Sequence, residues 1–214
     1  MMFSSLFKRN IKEKKLIAFS FDDGPSREYT KKILRVLKKN HAKATFFVLG
    51  NKIEDNGDIL KDIISYGCQI GNHTYNHEKS NVLCESIENT QNLVYKYTNI
   101  YPNLLRLPGG EISQEGRNAS EKMNLPIIRW SVDSGDWFIN NPNIIYRNII
   151  NEVNEGSIVL FHDIYDHTLD VIKDVLKTLN KQGYEVTTVQ ELFDYYNIKL
   201  EAGNEYREVF NDEK

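Results

Sequence analysis

This sequence has little cysteine, no long hydrophobic run and no large excess of one charge. No apolar run approaches the roughly 20 residues that a membrane helix needs, so we expect no stable membrane span. The two cysteines, Cys68 and Cys84, are too few for a disulfide scaffold, and we expect them to be structural thiols. The sequence has 27 Lys and Arg residues and 30 Asp and Glu residues, so its net charge is only −3. Without a basic field we expect no nucleic-acid partner.

The first fifteen residues also lack the order of a secretory signal. Their apolar residues precede the basic ones, whereas a signal peptide has a positive region followed by an apolar stretch. We interpret residues 1–15 as a solvated lead-in and, by sequence alone, expect a cytoplasmic location. Residues 201–214 are interpreted as a polar, loosely held tail. Residues 16–200 then form the single predicted domain.

Seven short apolar runs rich in β-formers alternate with segments of helical spacing. We predict a buried strand for each run, at Leu16–Phe21, Thr45–Leu49, Cys68–Ile70, Leu104–Leu107, Ile127–Trp130, Ile158–Phe161 and Val186–Val189. Helical spacing of apolar residues is clearest at 33–37, 59–64, 144–150 and 171–179. Strict alternation of strand and helix indicates a parallel α/β fold. The pattern alone fits either an open doubly wound sheet or a closed barrel of about seven units.

Residues with useful chemistry gather where the predicted strands end, and in both architectures these ends meet on one side of the sheet. The first strand ends at two adjacent carboxylates, Asp22 and Asp23, for which a nearby cation is expected. The third strand runs into His73 and His77, whose four-residue spacing suits one metal ion. Two histidines and one carboxylate leave coordination positions open for water and substrate. That pattern is typical of catalytic rather than structural metal sites.

Other candidate groups follow the later strands. Arg106 could fix a carboxylate, and the turn after it leaves backbone N–H groups open to a ligand. Trp137 lies in an acidic loop, where its ring could stack on a sugar face or belong to the core. His162 ends the sixth strand and adds a titratable imidazole. His41 and His167 have no evident partner, and we predict that both lie on the surface.

Taken in order, these segments resemble the five motifs of the polysaccharide deacetylases of carbohydrate esterase family 4. The matching segments are SFDDGP, HTYNH, RLPGG, DSGDW and LFH. The resemblance implies a distorted (β/α)₇ barrel that removes N-acetyl groups from N-acetylglucosamine-type residues of peptidoglycan or chitin-like oligomers. It also implies a divalent metal cofactor, with zinc first and cobalt, nickel or manganese as alternatives. Relatives of this kind are often exported or associated with the cell wall, and the oligomeric state stays open.

The same resemblance implies a role for each matching residue. The metal ligands would be Asp23, His73 and His77. The catalytic residues would be Asp22 as general base, Arg106 that holds it, His162 as general acid and Asp136 that orients the acid. The substrate would contact Pro108, Gly109, Trp137 and Leu160.

One departure from the family pattern bears on substrate choice. Family members often carry an aromatic residue where Gly109 stands, and they use the backbone N–H at that position to stabilise an oxyanion. Glycine keeps this N–H, so the chemistry is retained while one wall of the sugar groove is lost or moved. Two alternatives stay open, an O-acetyl esterase acting on acetylated xylan and a catalytically silent sugar-binding module. The presence of both Asp22 and His162 argues against the second, because a binding module needs neither a base nor an acid.

Overall fold

A computed structural model describes residues 14–79 and 82–210, so most of the predicted lead-in lies outside the described residues. Strands in the described range are β1 (Lys15–Gly24), β2 (Ala44–Val48), β3 (Gln69–Asn72), β4 (Ile127–Ile128), β5 (Val132–Asp133), β6 (Ile158–His162), β7 (Tyr184–Thr187) and β8 (Glu205–Tyr206). Helices there are α1 (Thr30–Lys39), α2 (Gly50–Ile53), α3 (Gly57–Ser65), α4 (Leu83–Thr98), α5 (Gln114–Met123), α6 (Pro142–Glu152), α7 (Asp166–Lys181) and α8 (Val189–Tyr195).

The strands form a parallel sheet in the order β3-β2-β1-β6-β5, and β7 pairs with the first half of β1. Isolated bridges from Leu105 to Asn72 and Ile127 extend the row to β4. The outer neighbour of β4 is β8. With helices in the connections, this row is the distorted (β/α)₇ barrel that the family resemblance implies; the sequence pattern alone had left an open doubly wound sheet as the alternative.

Alternation of side chains along β1 separates the core from the interior of the barrel. Phe19 and Phe21 belong to the main apolar cluster, which also takes in residues of the surrounding helices. The Phe21 ring stacks against Phe46 at 4.9 Å and Phe161 at 5.4 Å between ring centroids. Burying each such ring contributes about 2–3 kcal/mol of transfer free energy. Because side chains alternate, Ser20 and Asp22 share the opposite face, so the strand that builds the core also carries polar groups to the site.

Two predictions about secondary structure are wrong. The run Leu104–Leu107 contributes only the bridges at Leu105, because prolines at positions 102 and 108 enclose it and cannot donate to a ladder. Residues 201–210 are not a loosely held tail, since β8 pairs with β4. In that segment Glu205 accepts hydrogen bonds from Arg129 at 2.8 Å and Arg117 at 3.4 Å. The last four residues lie outside the described range.

Among the described residues, no helix is long and apolar enough to cross a membrane. Cys68 and Cys84 are free thiols, as expected of structural cysteines. Burial raises the pKa of the Cys68 thiol to about 11, which makes it a poor nucleophile at neutral pH.

Candidate metal centre and active site

Three predicted metal ligands converge where β1 and β3 end. Asp23 Oδ1 lies 3.6 Å from His73 Nε2 and 3.8 Å from His77 Nε2. One ligand atom from each of the three residues falls within 4.8 Å of the others. A tetrahedral site with bonds of about 2.1 Å separates its ligand atoms by about 3.4 Å, so the observed spacing suits a single divalent ion.

The protonation and hydrogen bonding of these groups also fit a metal ion. His73 Nδ1 donates to the carbonyl oxygen of Arg106 at 2.8 Å, which leaves the lone pair of Nε2 for a metal. Burial, together with the neighbouring His73, lowers the pKa of His77 and favours the neutral imidazole that a metal requires. Asp23 Oδ1 is buried and has no hydrogen-bond partner among the described residues. A bound cation would satisfy this carboxylate oxygen.

The loops that carry the ligands contain strained backbone conformations. Asp23, Thr74 and His77 have φ angles of 70°, 69° and 64°, in the left-handed region that non-glycine residues rarely adopt. Such conformations cost about 1–3 kcal/mol each and persist only where the surroundings impose them. Here Asn72 Oδ1 accepts from the Thr74 N–H at 2.9 Å, and Asn72 Nδ2 donates to the Ile87 carbonyl at 2.9 Å.

Asp22, the predicted base, is held by a buried arginine inside the barrel. Arg106 Nη1 donates to Asp22 Oδ1 at 2.8 Å and to Ser20 Oγ at 2.9 Å. The side chains of Arg106 and Asp22 are 0% and 4% exposed. Oδ2 of Asp22 faces the metal ligands, 3.6 Å from His73 Nε2. The arginine thus binds one carboxylate oxygen and leaves the other directed toward the candidate metal centre.

The other two nitrogens of Arg106 also donate to backbone carbonyl oxygens. Nε donates to the Ile128 carbonyl at 3.1 Å and Nη2 to the Arg129 carbonyl at 2.9 Å. The guanidinium lies 4.1 Å from the centroid of the Phe47 ring and 5.4 Å from that of Trp130. A planar, weakly hydrated cation suits this position, whereas a lysine ammonium could not make the same set of contacts.

A second charged pair is formed by His162, at the end of β6, and Asp136, in the loop after β5. His162 Nδ1 lies 2.7 Å from Asp136 Oδ1, and the His162 N–H donates to Asp136 Oδ2 at 2.8 Å. Thr168 Oγ1 donates to the same Oδ2 at 2.6 Å. Burial alone would lower the pKa of His162, but the hydrogen bond and charge of Asp136, with smaller contributions from Asp22 and Asp23, raise it to about 9. The imidazole is therefore protonated at neutral pH.

The two remaining histidines, His41 and His167, differ in their exposure to solvent. His41 is exposed, as predicted. The surface prediction for His167 is wrong, because only 11% of its side chain is exposed. Its Nε2 donates to the Asp136 carbonyl at 2.7 Å, and its ring stacks on Tyr165 at 5.2 Å between ring centroids. His167 therefore supports the loop that carries Asp136.

The four predicted substrate-contacting residues differ in exposure. Trp137 is 55% exposed, so it is a surface ring and not part of the core. Its exposed neighbour Phe138 packs edge-on against it at 4.5 Å between ring centroids. Leu160 is buried two residues before His162 on the same strand, and Pro108 is also buried. Gly109 is exposed and has a φ angle of 67°.

Sequence reasoning missed some residues that complete the site. Thr168 lies 32 residues from Asp136 in the chain, and no local signal links the two. Phe138 was also missed, although its position beside Trp137 could have suggested it. Ser20 could have been found, because it lies two residues before Asp22 and so points to the same face of β1.

Comparisons of the sequence and the fold with known proteins agree with the motif resemblance. A family model described as "Polysaccharide deacetylase" matches residues 9–128. A peptidoglycan-N-acetylglucosamine deacetylase, PgdA, of Listeria monocytogenes is 36% identical over 200 residues, with 91% of this chain and 42% of that protein covered. The chain thus spans less than half the length of this relative. A peptidoglycan-N-acetylglucosamine deacetylase of Bacillus cereus is 35% identical, with 85% of this chain and 89% of that protein covered.

A solved structure has the same fold. It is a family 4 acetyl xylan esterase from Clostridium thermocellum in complex with a cobalt ion, 28% identical to this chain. The TM-score is 0.84, and the match covers 91% of this chain and 99% of that chain. The family model covers more than half of the chain, and the Bacillus cereus relative is matched over most of its own length. The chain therefore belongs to the polysaccharide deacetylase family.

Proposed function

We propose that the chain is a metal-dependent hydrolase that removes N-acetyl groups from N-acetylglucosamine-type residues of a polysaccharide and releases acetate. One observation carries the proposal: Asp22 and His162 lie on neighbouring strands beside the three side chains that could hold a metal ion, Asp23, His73 and His77. Asp22 and His162 are register partners on β1 and β6, whose backbones are about 4.8 Å apart. Amide hydrolysis needs both groups, because water must lose a proton and the amine must gain one.

Asp23, His73 and His77 would hold the metal ion. When bound there, a divalent ion supplies Lewis-acid polarisation of the acetamide carbonyl and a water of lowered pKa. Two imidazoles and one carboxylate with open positions favour zinc. Cobalt, nickel and manganese are the alternatives, and the cobalt ion in the Clostridium thermocellum relative supports testing them.

Asp22 serves as the base. Its Oδ2, which Arg106 leaves free, takes the proton from the water that attacks the carbonyl carbon. The buried guanidinium binds the other carboxylate oxygen and so fixes the orientation of the base. Positioning of this kind removes the need to reorganise the base during the reaction.

His162 serves as the acid. Because Nδ1 is engaged by Asp136, Nε2 is the nitrogen that gives its proton to the sugar amine as the carbon–nitrogen bond breaks. Acetate then departs and the free amino sugar remains in the polymer. The N–H of Gly109 would donate to the developing oxyanion, where one preorganised donor contributes about 3 kcal/mol. Leu160 would line the pocket for the acetyl methyl, and Pro108 and Trp137 would wall the groove.

The substrate class rests on the two peptidoglycan deacetylases to which the chain is similar. To test it, acetate release is measured from peptidoglycan, chitin oligomers and acetylxylan. Each polymer is tested with the protein as purified, after chelation, and after zinc, cobalt, nickel or manganese is restored. We expect release from the N-acetylated polymers that stops on chelation and returns with zinc. Release that continues undiminished after complete metal removal would falsify the proposal.

A second candidate is an O-acetyl esterase on acetylated xylan, which the name of the Clostridium thermocellum relative favours. An ester leaving group needs less protonation than an amine, so His162→Gln should spare ester cleavage and suppress amide cleavage. Faster release from acetylxylan than from every N-acetylated polymer would favour the esterase. Binding of oligosaccharide without any acetate release would favour the silent sugar-binding module.

A further inference from the structure

Lys79 is an exposed residue whose side chain lies beside Gly109. A Cβ added to Gly109 would lie 3.2 Å from Lys79 Nζ and 3.5 Å from Lys79 Cε. The N–H of Gly109 is the donor proposed above for the oxyanion. A positive charge therefore stands next to the point where the acetamide would bind, in space that a side chain at position 109 would otherwise fill.

The protein compensates this charge only weakly. Glu111 Oε2 lies 3.3 Å from Lys79 Nζ, but the two side chains are 74% and 53% exposed, and such pairs contribute little. The adjacent carboxylate of Glu78 is engaged elsewhere, because it accepts from Ser86 Oγ at 2.6 Å and from the Asn76 N–H at 2.9 Å. An external carboxylate can therefore replace Glu111 without leaving a buried charge unpaired.

The chemistry of acetylated amino sugars suggests which carboxylate this would be. The acetamido group is attached to the second ring carbon, and muramic acid carries a lactyl ether on the third. A free lactyl carboxylate is thus attached to the carbon next to the one whose substituent is hydrolysed. A lysine side chain is long enough for an ammonium beside the acetamide site to reach this carboxylate. In N-acetylglucosamine, the third ring carbon carries only a neutral hydroxyl.

We propose that Lys79 is a specificity-determining residue that binds a substrate carboxylate next to the hydrolysed acetamide, as in N-acetylmuramic acid units whose lactyl group is not linked to a peptide. The proposal rests on the deacetylase function proposed above. The proposal depends on Gly109 as well as Lys79, because the absence of a side chain at Gly109 leaves the space that the lysine side chain occupies. Glu111 is the internal competitor that the substrate carboxylate displaces.

The test compares two versions of the same glycan strands, one with free lactyl carboxylates and one with these groups converted to methyl amides. For each, kcat/KM for acetate release and the Kd of the zinc-loaded protein are measured. We expect the wild-type protein to favour the free carboxylate about fivefold, the upper range for an exposed ion pair. Lys79→Met should reduce this ratio to about one, and Lys79→Arg should keep it. Glu111→Gln should raise it by removing the competing carboxylate.

Lys199→Met is the matched control, because Lys199 is 86% exposed and pairs with Glu201 at 3.8 Å. Its ratio should stay at about five, and high salt should reduce the wild-type ratio. A wild-type ratio of one, or a Lys79→Met variant that keeps the wild-type ratio, overturns the proposal. Equal losses on both strands in Lys79→Met would mark a merely structural role and overturn it as well. Absence of acetate release from every strand would contradict the deacetylase function, while the ratio of Kd values would still test Lys79.

Discussion

Removal of the Asp136 carboxylate should move the alkaline limit of activity. The pKa of His162 is about 9, against an ordinary value of 6.5, and Asp136 supplies most of the increase against the opposing effect of burial. The difference of about 2.5 units corresponds to about 3 kcal/mol of preference for the protonated imidazole. Asp136→Asn should therefore lower the pKa of His162 to about 6.5 or below.

The loss of rate should depend strongly on pH. At pH 8 about nine-tenths of the wild-type imidazole is protonated, against a few per cent in the variant, so acetate release should fall about 30-fold. Near pH 6 the loss from protonation should be small, and a residual decrease there measures lost orientation. The assay is the pH profile of kcat/KM for acetate release from chitin oligomers.

Asp170→Asn is the control for this experiment, because it also removes one carboxylate, and Asp170 is an exposed residue of α7. Its alkaline limit should stay near that of the wild-type protein. If Asp136→Asn also kept its alkaline limit near pH 9, the assignment of His162 as the acid tuned by Asp136 would be wrong.

Four other changes have defined outcomes. The raised pKa of His162 stabilises the fold fully below pH 6.5, so urea titrations should show this contribution, about 3 kcal/mol, being lost as pH rises through 9. Thr168→Val removes a hydrogen bond to a carboxylate and should cost about 1.5–3 kcal/mol and lower kcat, with rescue by Thr168→Ser; unchanged stability would argue against the contact. Gly24→Ala places a Cβ against the Asp163 carboxylate and should destabilise by about 1–3 kcal/mol, an effect that should shrink in an Asp163→Ala background. Arg106→Met leaves a buried carboxylate unpaired and should cost about 3–5 kcal/mol in chemical denaturation; a loss below 1 kcal/mol would contradict the buried pair.

Local patterns were sufficient to locate the strands that carry the site. The apolar run of β1 and the turn signals after it placed Asp22 and Asp23 at a strand end, and parallel topology then brought them to the same edge as His73. The structure adds that Gly24 closes β1 because Asp163 fills the space of a side chain there. That reason is invisible in a sequence, where Asp-Gly-Pro indicates only a turn.

Contacts between distant segments account for what the sequence did not predict. The inward position of His167 depends on the Asp136 carbonyl, 31 residues away in the chain. Strands β5 and β8 have two residues each, too few for a periodic signal. The proximity of Lys79 to Gly109 depends on how two loops fold over each other, and each loop alone looks like an ordinary polar connection.

The most direct test of the account separates the metal ligand His77 from the base Asp22. Bound zinc per chain and acetate released from chitin oligomers are measured on the same samples of the wild-type protein, His77→Ala and Asp22→Asn. We predict that His77→Ala loses both the zinc and the activity, while Asp22→Asn keeps one zinc per chain and loses the activity. Undiminished acetate release by Asp22→Asn, or by a zinc-free His77→Ala protein, would contradict the account.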